Sequence, residues 1–153
     1  MRKLLLRWVV VIAVFLFWCP EMVLAATAKT SPPPEPNMST MEQIGIEALQ
    51  YLVDGYSEIY SLSAGTVRLS GETVASQPVD SILLRLYLQR WNGSSWVDMG
   101  SWGFEGFNSS SIRGSKILQV VGGYYYRAKG FHQATENGTP ESFYSYSSYI
   151  FVE

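Results

Sequence analysis

An aliphatic residue at every second position from Ile82 to Leu88 constrains the fold of this chain more than any other feature. The even-numbered positions hold the aliphatic residues Ile82, Leu84, Leu86 and Leu88, and the odd-numbered positions include Arg85, Tyr87, Gln89 and Trp91. Successive side chains of a β-strand point to opposite faces, so the pattern predicts a half-buried strand whose aliphatic set faces the core. Burial of those four side chains contributes about 6–12 kcal/mol before the entropy of ordering is subtracted. We therefore expect Leu86→Asp to prevent folding.

Other segments with strand composition follow Asp54, each bounded by Gly, Pro, Asn or Ser clusters. With the first segment they are Ser57–Leu62, Thr66–Ser70, Ser81–Trp91, Trp96–Phe104, Lys116–Val121, Tyr124–Gln133 and Ser142–Val152. About seven short strands with a turn signal every ten residues or so are typical of an antiparallel β-sandwich. The sequence therefore predicts an all-β domain, a single antiparallel β-sandwich, over residues 56–153.

Two turns in this domain carry a specific prediction. Asn92-Gly93 accepts the positive φ that a tight hairpin requires, and Gly122-Gly123 is expected to play the same part before the next strand. Tyr124 begins that penultimate strand, where a β-sandwich often uses a tyrosine corner. We expect its hydroxyl to bond to upstream backbone.

The first 25 residues have the three parts of a secretory signal peptide. Three cations precede an uncharged run from Trp8 to Cys19, which is too short to span a bilayer, and small residues follow at Ala25 and Ala28. Cleavage after either alanine predicts a secreted, extracellular protein with no membrane attachment. Removal of residues 1–25 takes three cations, one anion and the only cysteine, so the net charge falls from −2 to −4.

The next 30 residues lead into the predicted domain. Residues 26–40 are Pro-rich, with Pro32-Pro33-Pro34-Glu35-Pro36 at their centre, and such a run favours an extended, solvated linker. It is either a disordered leader or a tether that holds the domain away from the cell wall. Residues 41–55 give a mixed signal that fits a short helix or an irregular segment.

A resemblance rests on Leu86-Tyr-Leu-Gln-Arg-Trp-Asn-Gly-Ser-Ser-Trp96, on Gly123-Tyr-Tyr-Tyr-Arg-Ala-Lys-Gly130 and on the Ser/Tyr-rich segment ending at Glu153. Over residues 54–153 and the signal peptide, the chain resembles a family of small secreted proteins of unknown function from Gram-positive bacteria. It also looks like a generic immunoglobulin or fibronectin type III sandwich. The resemblance implies this fold and origin but no activity, because such a fold does not determine function.

The residues that catalysis or metal binding would need are scarce. His132 is the only imidazole, no motif surrounds it, and we expect a histidine at a loop edge or on the surface. The acids of the domain are scattered near turns, so the sequence predicts no carboxylate pair, no metal site and no cofactor. The charge balance gives no footprint for nucleic acid. We therefore expect a protein that is not an enzyme.

Aromatic residues at the strand positions predicted to face away from the core provide the one functional signal. If three strands neighbour one another, an outward face carries Tyr87, Trp91, Tyr125, Phe131, Phe143, Tyr149 and Phe151, with Arg85, Arg127 and Lys129 between them. Exposed aromatic and cationic groups suit a cell-wall glycan or a surface protein. The same rings are alternatively cross-strand pairs that stabilise the sheet, rings covered by residues 39–55 folding back, or a surface for self-association or wall packing. An unorthodox hydrolase is the remaining hypothesis.

Overall fold

A computed structural model describes residues 27–34 and 49–153, and in this part of the chain all regular structure is β-strand. The strands are β1 (Leu52–Ser63), β2 (Thr66–Trp91), β3 (Trp96–Gln119), β4 (Tyr124–Glu136), β5 (Thr139–Tyr146) and β6 (Ile150–Val152). Within these residues no helix has the length and hydropathy to cross a membrane. The predicted signal peptide and most of the predicted segment 41–55 lie outside the described residues and stay predictions.

All strand pairs are antiparallel, and β2 is the centre of the sheet. Along one edge β2 pairs with β3 over nearly its whole length. Along the other edge its first half pairs with β1 and its second half pairs with β4. The far edge of β4 carries β5 and β6. All six strands therefore belong to one hydrogen-bonded sheet.

This sheet bends back on itself at the middle of β2 and β3. The β2–β3 register is interrupted between Val74 and Val79, where β2 passes through Ser76-Gln77-Pro78. Beyond the bend the two halves of β3 face each other, because a Cβ on Gly114 would lie only 2.2 Å from the ring of Phe104. Pro78 is tolerated because it lies where the ladder is broken and no amide hydrogen bond is needed.

The bend creates a core from both halves of β2. The larger cluster of buried side chains comprises Ile59, Val67, Leu69, Leu84, Leu86, Leu88, Tyr126, Ala128 and Val152. A smaller cluster near the bend contains Leu52, Ala75, Val79, Ile82 and Ala134. All four aliphatic side chains predicted to face the core from the segment after Ser81 are buried, which confirms that prediction.

The all-β antiparallel architecture is confirmed, but the strands differ from those predicted. Six strands form one bent sheet, whereas the prediction was about seven strands in an immunoglobulin-like sandwich, which has two separate sheets. Two predicted pairs of short strands merge into the long β2 and β3, because Gly71 and Gly114 lie opposite each other inside the ladder instead of ending it. The segment from Ser142 to Val152 instead splits into β5 and β6.

The two predicted turns have different outcomes. Asn92 and Gly93 join β2 to β3 as a hairpin, with φ of 102° at Gly93 and Trp91 paired with Trp96. Gly123 also has a positive φ, 87°, but β3 and β4 lie on opposite edges of β2, so this connection is not a hairpin.

The tyrosine corner was assigned to the wrong residue. Tyr126 is 2% exposed, and its hydroxyl donates to the carbonyl of Val121 at 2.8 Å. Burial raises the pKa of this phenol. Tyr124 is instead half-buried beneath the guanidinium of Arg90, 4.5 Å from its ring centroid.

Part of the predicted linker contacts the domain. The amide of Lys29 donates to the carbonyl of Gly123 at 2.7 Å, and Pro33 is buried. The Lys29 ammonium lies 5.0 Å from the centroid of the Tyr124 ring. Residues 27–34 therefore follow the end of the sheet near the β3–β4 connection, while the remainder of the predicted linker lies outside the described residues.

Candidate functional site

The surface of the sheet opposite the core carries a group of aromatic side chains from β2, β3, β4, β5, β6 and the β5–β6 connection. We define the aromatic face as Tyr87, Trp96, Tyr125, Phe131, Tyr144, Tyr146, Tyr149 and Phe151, with Arg127 and Lys129. Strand register places most of these residues side by side, since Tyr87 pairs with Lys129, Phe131 with Tyr144, and Tyr125 with Phe151. Paired residues share a face of a sheet, so the register itself assembles this surface.

At one end of the aromatic face four rings form a continuous row. From Phe151 the row passes to Tyr125 at 5.1 Å between centroids, then to Tyr149 at 5.7 Å, and on to Trp96 at 6.2 Å. At the other end Phe131 lies 5.1 Å from Tyr144. These spacings are those of favourable aromatic pairs, so the rings support one another in fixed orientations.

Two cations lie between rings in the middle of the face. The guanidinium of Arg127 is 4.5 Å from the centroid of Trp96 and 4.6 Å from that of Tyr146. The ammonium of Lys129 lies 4.6 Å from the Tyr87 ring and 5.1 Å from the Tyr144 ring. Cation–π contacts of this kind hold both partners in place. Burial lowers the pKa of Arg127, but a guanidinium titrates so far above neutrality that it stays charged.

A polar chain beneath the rings links the same two cations. Arg127 Nε donates to Gln89 Oε1 at 2.7 Å, and Gln89 Nε2 donates to Asp98 Oδ1 at 2.6 Å. The second oxygen of Asp98 accepts from Lys129 at 3.4 Å. Gln89 is 6% exposed, and these bonds satisfy its amide, so the centre of the face is preorganised.

Most of the predicted binding residues are brought together here. Tyr87, Tyr125, Arg127, Phe131 and Tyr149 all belong to the aromatic face, and Arg85, Lys129 and Phe151 lie on the same side of the sheet.

Trp91 lies on the outer side of the sheet as predicted, paired with Trp96, but it is only 7% exposed and is therefore not accessible to a ligand. It packs 5.5 Å from Trp96 at the end of β2, and its indole N–H has no hydrogen-bond partner among the described residues. Its neighbour across the hairpin, Trp96, contributes to the face instead.

Phe143 was assigned to the wrong face, and the cause is the break between β5 and β6. Residues Ser147–Tyr149 interrupt the strand, so the alternation of side chains shifts by one residue across it. Tyr144 and Tyr146 therefore share the outer face with Phe151, and Phe143 points inward. Sequence alone missed Trp96, Tyr144 and Tyr146, although the Ser-Ser pair at 147–148 was a visible signal for a break.

A shallow groove of about 390 Å³ borders the aromatic face at Tyr146. Its other wall is β1, which contributes Tyr56 and Tyr60. Both tyrosines are exposed, at 43% and 46%.

The single histidine lies in the core, not at a loop edge or on the surface as predicted. His132 has no exposed surface, and the ring of Phe143 stacks on it at 4.8 Å. A Cβ on Gly55 would lie 2.5 Å from Nδ1 and one on Gly130 would lie 2.7 Å from Nε2, so two glycines form the slot that admits the ring. The sequence could not indicate this slot, because Gly55 and Gly130 are far apart along the chain.

Both nitrogens of His132 are hydrogen-bonded. Thr73 Oγ1 lies 2.8 Å from Nδ1 and donates its own proton to the carbonyl of Leu83, so Nδ1–H donates to Thr73. Nε2 lies 2.7 Å from the hydroxyl oxygen of Ser145, which is in turn hydrogen-bonded to Ser57 at 3.0 Å. Burial lowers the pKa of His132 to about 4, against the opposing charge of Asp54. The ring is therefore neutral at pH 7.

Comparison with protein families decides where the chain belongs. Residues 35–148 match a family of unknown function, DUF6147. The chain is a member of this family. No curated protein and no solved structure matches it. The predicted family of unknown function is thereby confirmed, while secretion and Gram-positive origin stay predictions.

The chemistry available in this DUF6147 protein is limited by the surroundings of its histidine. Ser145 and His132 have the spacing of a nucleophile and a base, but the second ring nitrogen faces a threonine and not a carboxylate. With a pKa of about 4 the imidazole is a weak base. Among residues 27–34 and 49–153, no three His, Cys, Asp or Glu side chains are grouped as a metal site.

Proposed function

We propose that this DUF6147 protein is exported and binds a cell-wall glycan through its aromatic face without catalysing a reaction. The observation that supports this most is the position of Arg127 between Trp96 and Tyr146, which fixes a cation and two rings as one rigid platform. A preorganised surface loses little side-chain entropy when a ligand binds.

A glycan fits this surface in two ways. The C–H faces of a sugar ring are apolar and flat, so they stack on aromatic rings, and its hydroxyl and carboxylate groups accept hydrogen bonds from the cations. Tyr144 and Tyr146 offer the largest accessible rings on the face, at 51% and 49% exposure. Arg85 is exposed on the same side of the sheet and adds a cation at its margin.

The test compares aromatic substitutions on and off the face, with soluble cell-wall polysaccharide as the probe in titration calorimetry. We expect Tyr144→Ala and Tyr146→Ala each to weaken binding about tenfold, which is about 1.4 kcal/mol. Tyr60 is equally exposed at 46% on the other wall of the groove beside Tyr146, so Tyr60→Ala tests whether the ligand extends into that groove. Leu62→Ala is the control, because Leu62 is exposed at 42% on β1 outside the groove.

The alternatives give different results. If the two face substitutions leave glycan binding unchanged, or only Tyr60→Ala weakens it, the aromatic face is not the binding site. If they reduce self-association measured by light scattering instead, the face is a packing surface between copies. A mature N-terminus at Met1 would contradict export.

A further inference from the structure

The outer edge of β3 is unusual in length. β3 runs for 24 residues, and among the described residues it pairs only with β2, so its other edge presents a full row of free backbone groups. Natural proteins avoid long unpaired edges, because such an edge is a template for another strand. Large apolar side chains are exposed along it at Val97, Met99, Phe107 and Ile117.

The shape of this edge restricts what can pair with it. β3 bends back near its midpoint, where Asn108 has a φ of 48° and the Cβ position of Gly106 lies 3.7 Å from Ile112. A straight strand can follow only one half of β3. A partner for the whole edge must itself bend at the same place, as β2 does between Val74 and Val79.

We infer that the partner is β3 of a second copy of this chain, paired antiparallel about a two-fold axis at Ser109. The ladder interruption in β3 falls between Ser109 and Ser111, so this axis makes the bends of the two copies nearly coincide. An antiparallel two-fold pairing is isologous, so each copy contributes the same edge and the assembly closes as a dimer.

Charge favours the same register. With the axis at Ser109, Glu105 lies opposite Arg113 of the second copy, and the symmetry forms this pair twice. Both side chains lie on the outer side of the sheet. Glu105 pairs with Leu83, and Arg113 pairs with Glu72 and forms an ion pair with it at 2.9 Å. Leu83 and Glu72 both alternate with buried core residues of β2 and therefore face outward. The Arg113 side chain remains 77% exposed, which leaves it accessible to a second carboxylate.

A neighbouring register fails on the same criterion. An axis at Phe107 would place Asp98 opposite Lys116, but Asp98 pairs with Gln89 on the outer side, whereas Lys116 pairs with the core residue Leu69. The two charges would then lie on opposite faces of the sheet and could not meet.

Reversal of one charge tests the interface. We expect Glu105→Arg, which breaks no ion pair of the described residues, to raise the dimer dissociation constant at least about tenfold in sedimentation experiments. The double variant Glu105→Arg with Arg113→Glu should restore the dimer. A thermal melt of each variant confirms folding. A chain that is monomeric at all concentrations, or a dimer insensitive to both changes, would overturn the inference.

A cysteine at the axis gives an independent test. Directly paired residues have Cα atoms about 4.5–5.5 Å apart, which is within disulfide range. Ser109→Cys should therefore form disulfide-linked dimers under mild oxidation, and Ser115→Cys, the matched control on the same strand, should not. Equal crosslinking of the two variants, or none of Ser109→Cys, would exclude this register. Neither test involves the aromatic face. The experiments can therefore contradict the dimer and still support glycan binding, or support the dimer and contradict glycan binding.

Discussion

His132 Nε2 and Ser145 Oγ lie 2.7 Å apart between β4 and β5, and the same hydroxyl reaches Ser57 on β1. With Thr73 on the opposite side of the ring, one buried imidazole thus connects four strands of the bent sheet. Burial of a polar ring is favourable only when its nitrogens are paired, so this cluster favours the bend seen here over other bends.

Stability should fall in mild acid because of His132. Its pKa is about 4 in the folded protein and 6.5 as the ordinary value, so the unfolded chain takes up the proton first. This contribution to stability is fully present above pH 6.5 and is lost as the pH falls towards 4, and the loss amounts to about 3 kcal/mol at pH 4. Urea unfolding at pH 7, 5.5 and 4 measures it.

Carboxylates also titrate in this range, so a variant is needed to isolate the histidine. His132→Asn keeps a neutral polar side chain and should be less stable at pH 7, yet lose about 3 kcal/mol less than the natural protein between pH 7 and pH 4. Parallel pH profiles for the two proteins would show that His132 does not cause the loss.

The glycine slot around this ring predicts a large difference between two similar substitutions. Gly130→Ala places a Cβ 2.7 Å from His132 Nε2 and 2.8 Å from Ser145 Oγ, so we expect a loss of about 2–4 kcal/mol. Gly103→Ala is the control, because its Cβ meets only Arg85 Nε, at 4.0 Å, and it should be neutral or slightly stabilising. Denaturant midpoints compare them, and equal midpoints would contradict the slot.

Sequence periodicity predicted the faces of the second half of β2 because the pattern there is local and unbroken. It could not predict the bend, which depends on Gly114 meeting Phe104 within one strand, nor the slot for His132. Parity failed at Phe143 for a related reason: alternation holds only within a continuous strand, and β5 ends at Tyr146. Contacts distant in sequence therefore account for the errors in both fold and site.

The one-residue shift in side-chain alternation between β5 and β6 predicts opposite effects of substitutions at two adjacent residues. Phe143 stacks on His132, so Phe143→Ala should cost about 3 kcal/mol of unfolding free energy and leave glycan affinity unchanged. Tyr144→Ala, one residue further on, should show the reverse, with near-normal stability and weakened binding. Calorimetry and urea unfolding on both variants separate the two effects, and a Phe143 variant of normal stability would mean that the ring is not inside.

Glu141 should contribute to stability by holding the start of β1. Its carboxylate accepts from the amides of Gln50, Tyr51 and Leu52 at 2.8–2.9 Å. Burial tends to raise its pKa, but the three donors outweigh this and lower it. Glu141→Gln should cost about 1 kcal/mol at pH 7, because an amide accepts these bonds less well. Glu153→Gln, at an exposed carboxylate, is the control, and equal effects on urea midpoints would argue against this role.

Dimer formation through β3 would also change how the protein binds a polymer. In an edge-paired sheet the outer sides of both copies are continuous, so two aromatic faces would lie on the same side. A polysaccharide long enough to reach both faces would then bind the dimer about 10²-fold more tightly than it binds a single face. We expect Glu105→Arg to lower retention on insoluble cell-wall material by such a factor, while its affinity for a short oligosaccharide stays unchanged. Surface plasmon resonance against both ligands measures the two quantities, and an equal loss for the short ligand would show that Glu105 acts within the binding site and not through the dimer.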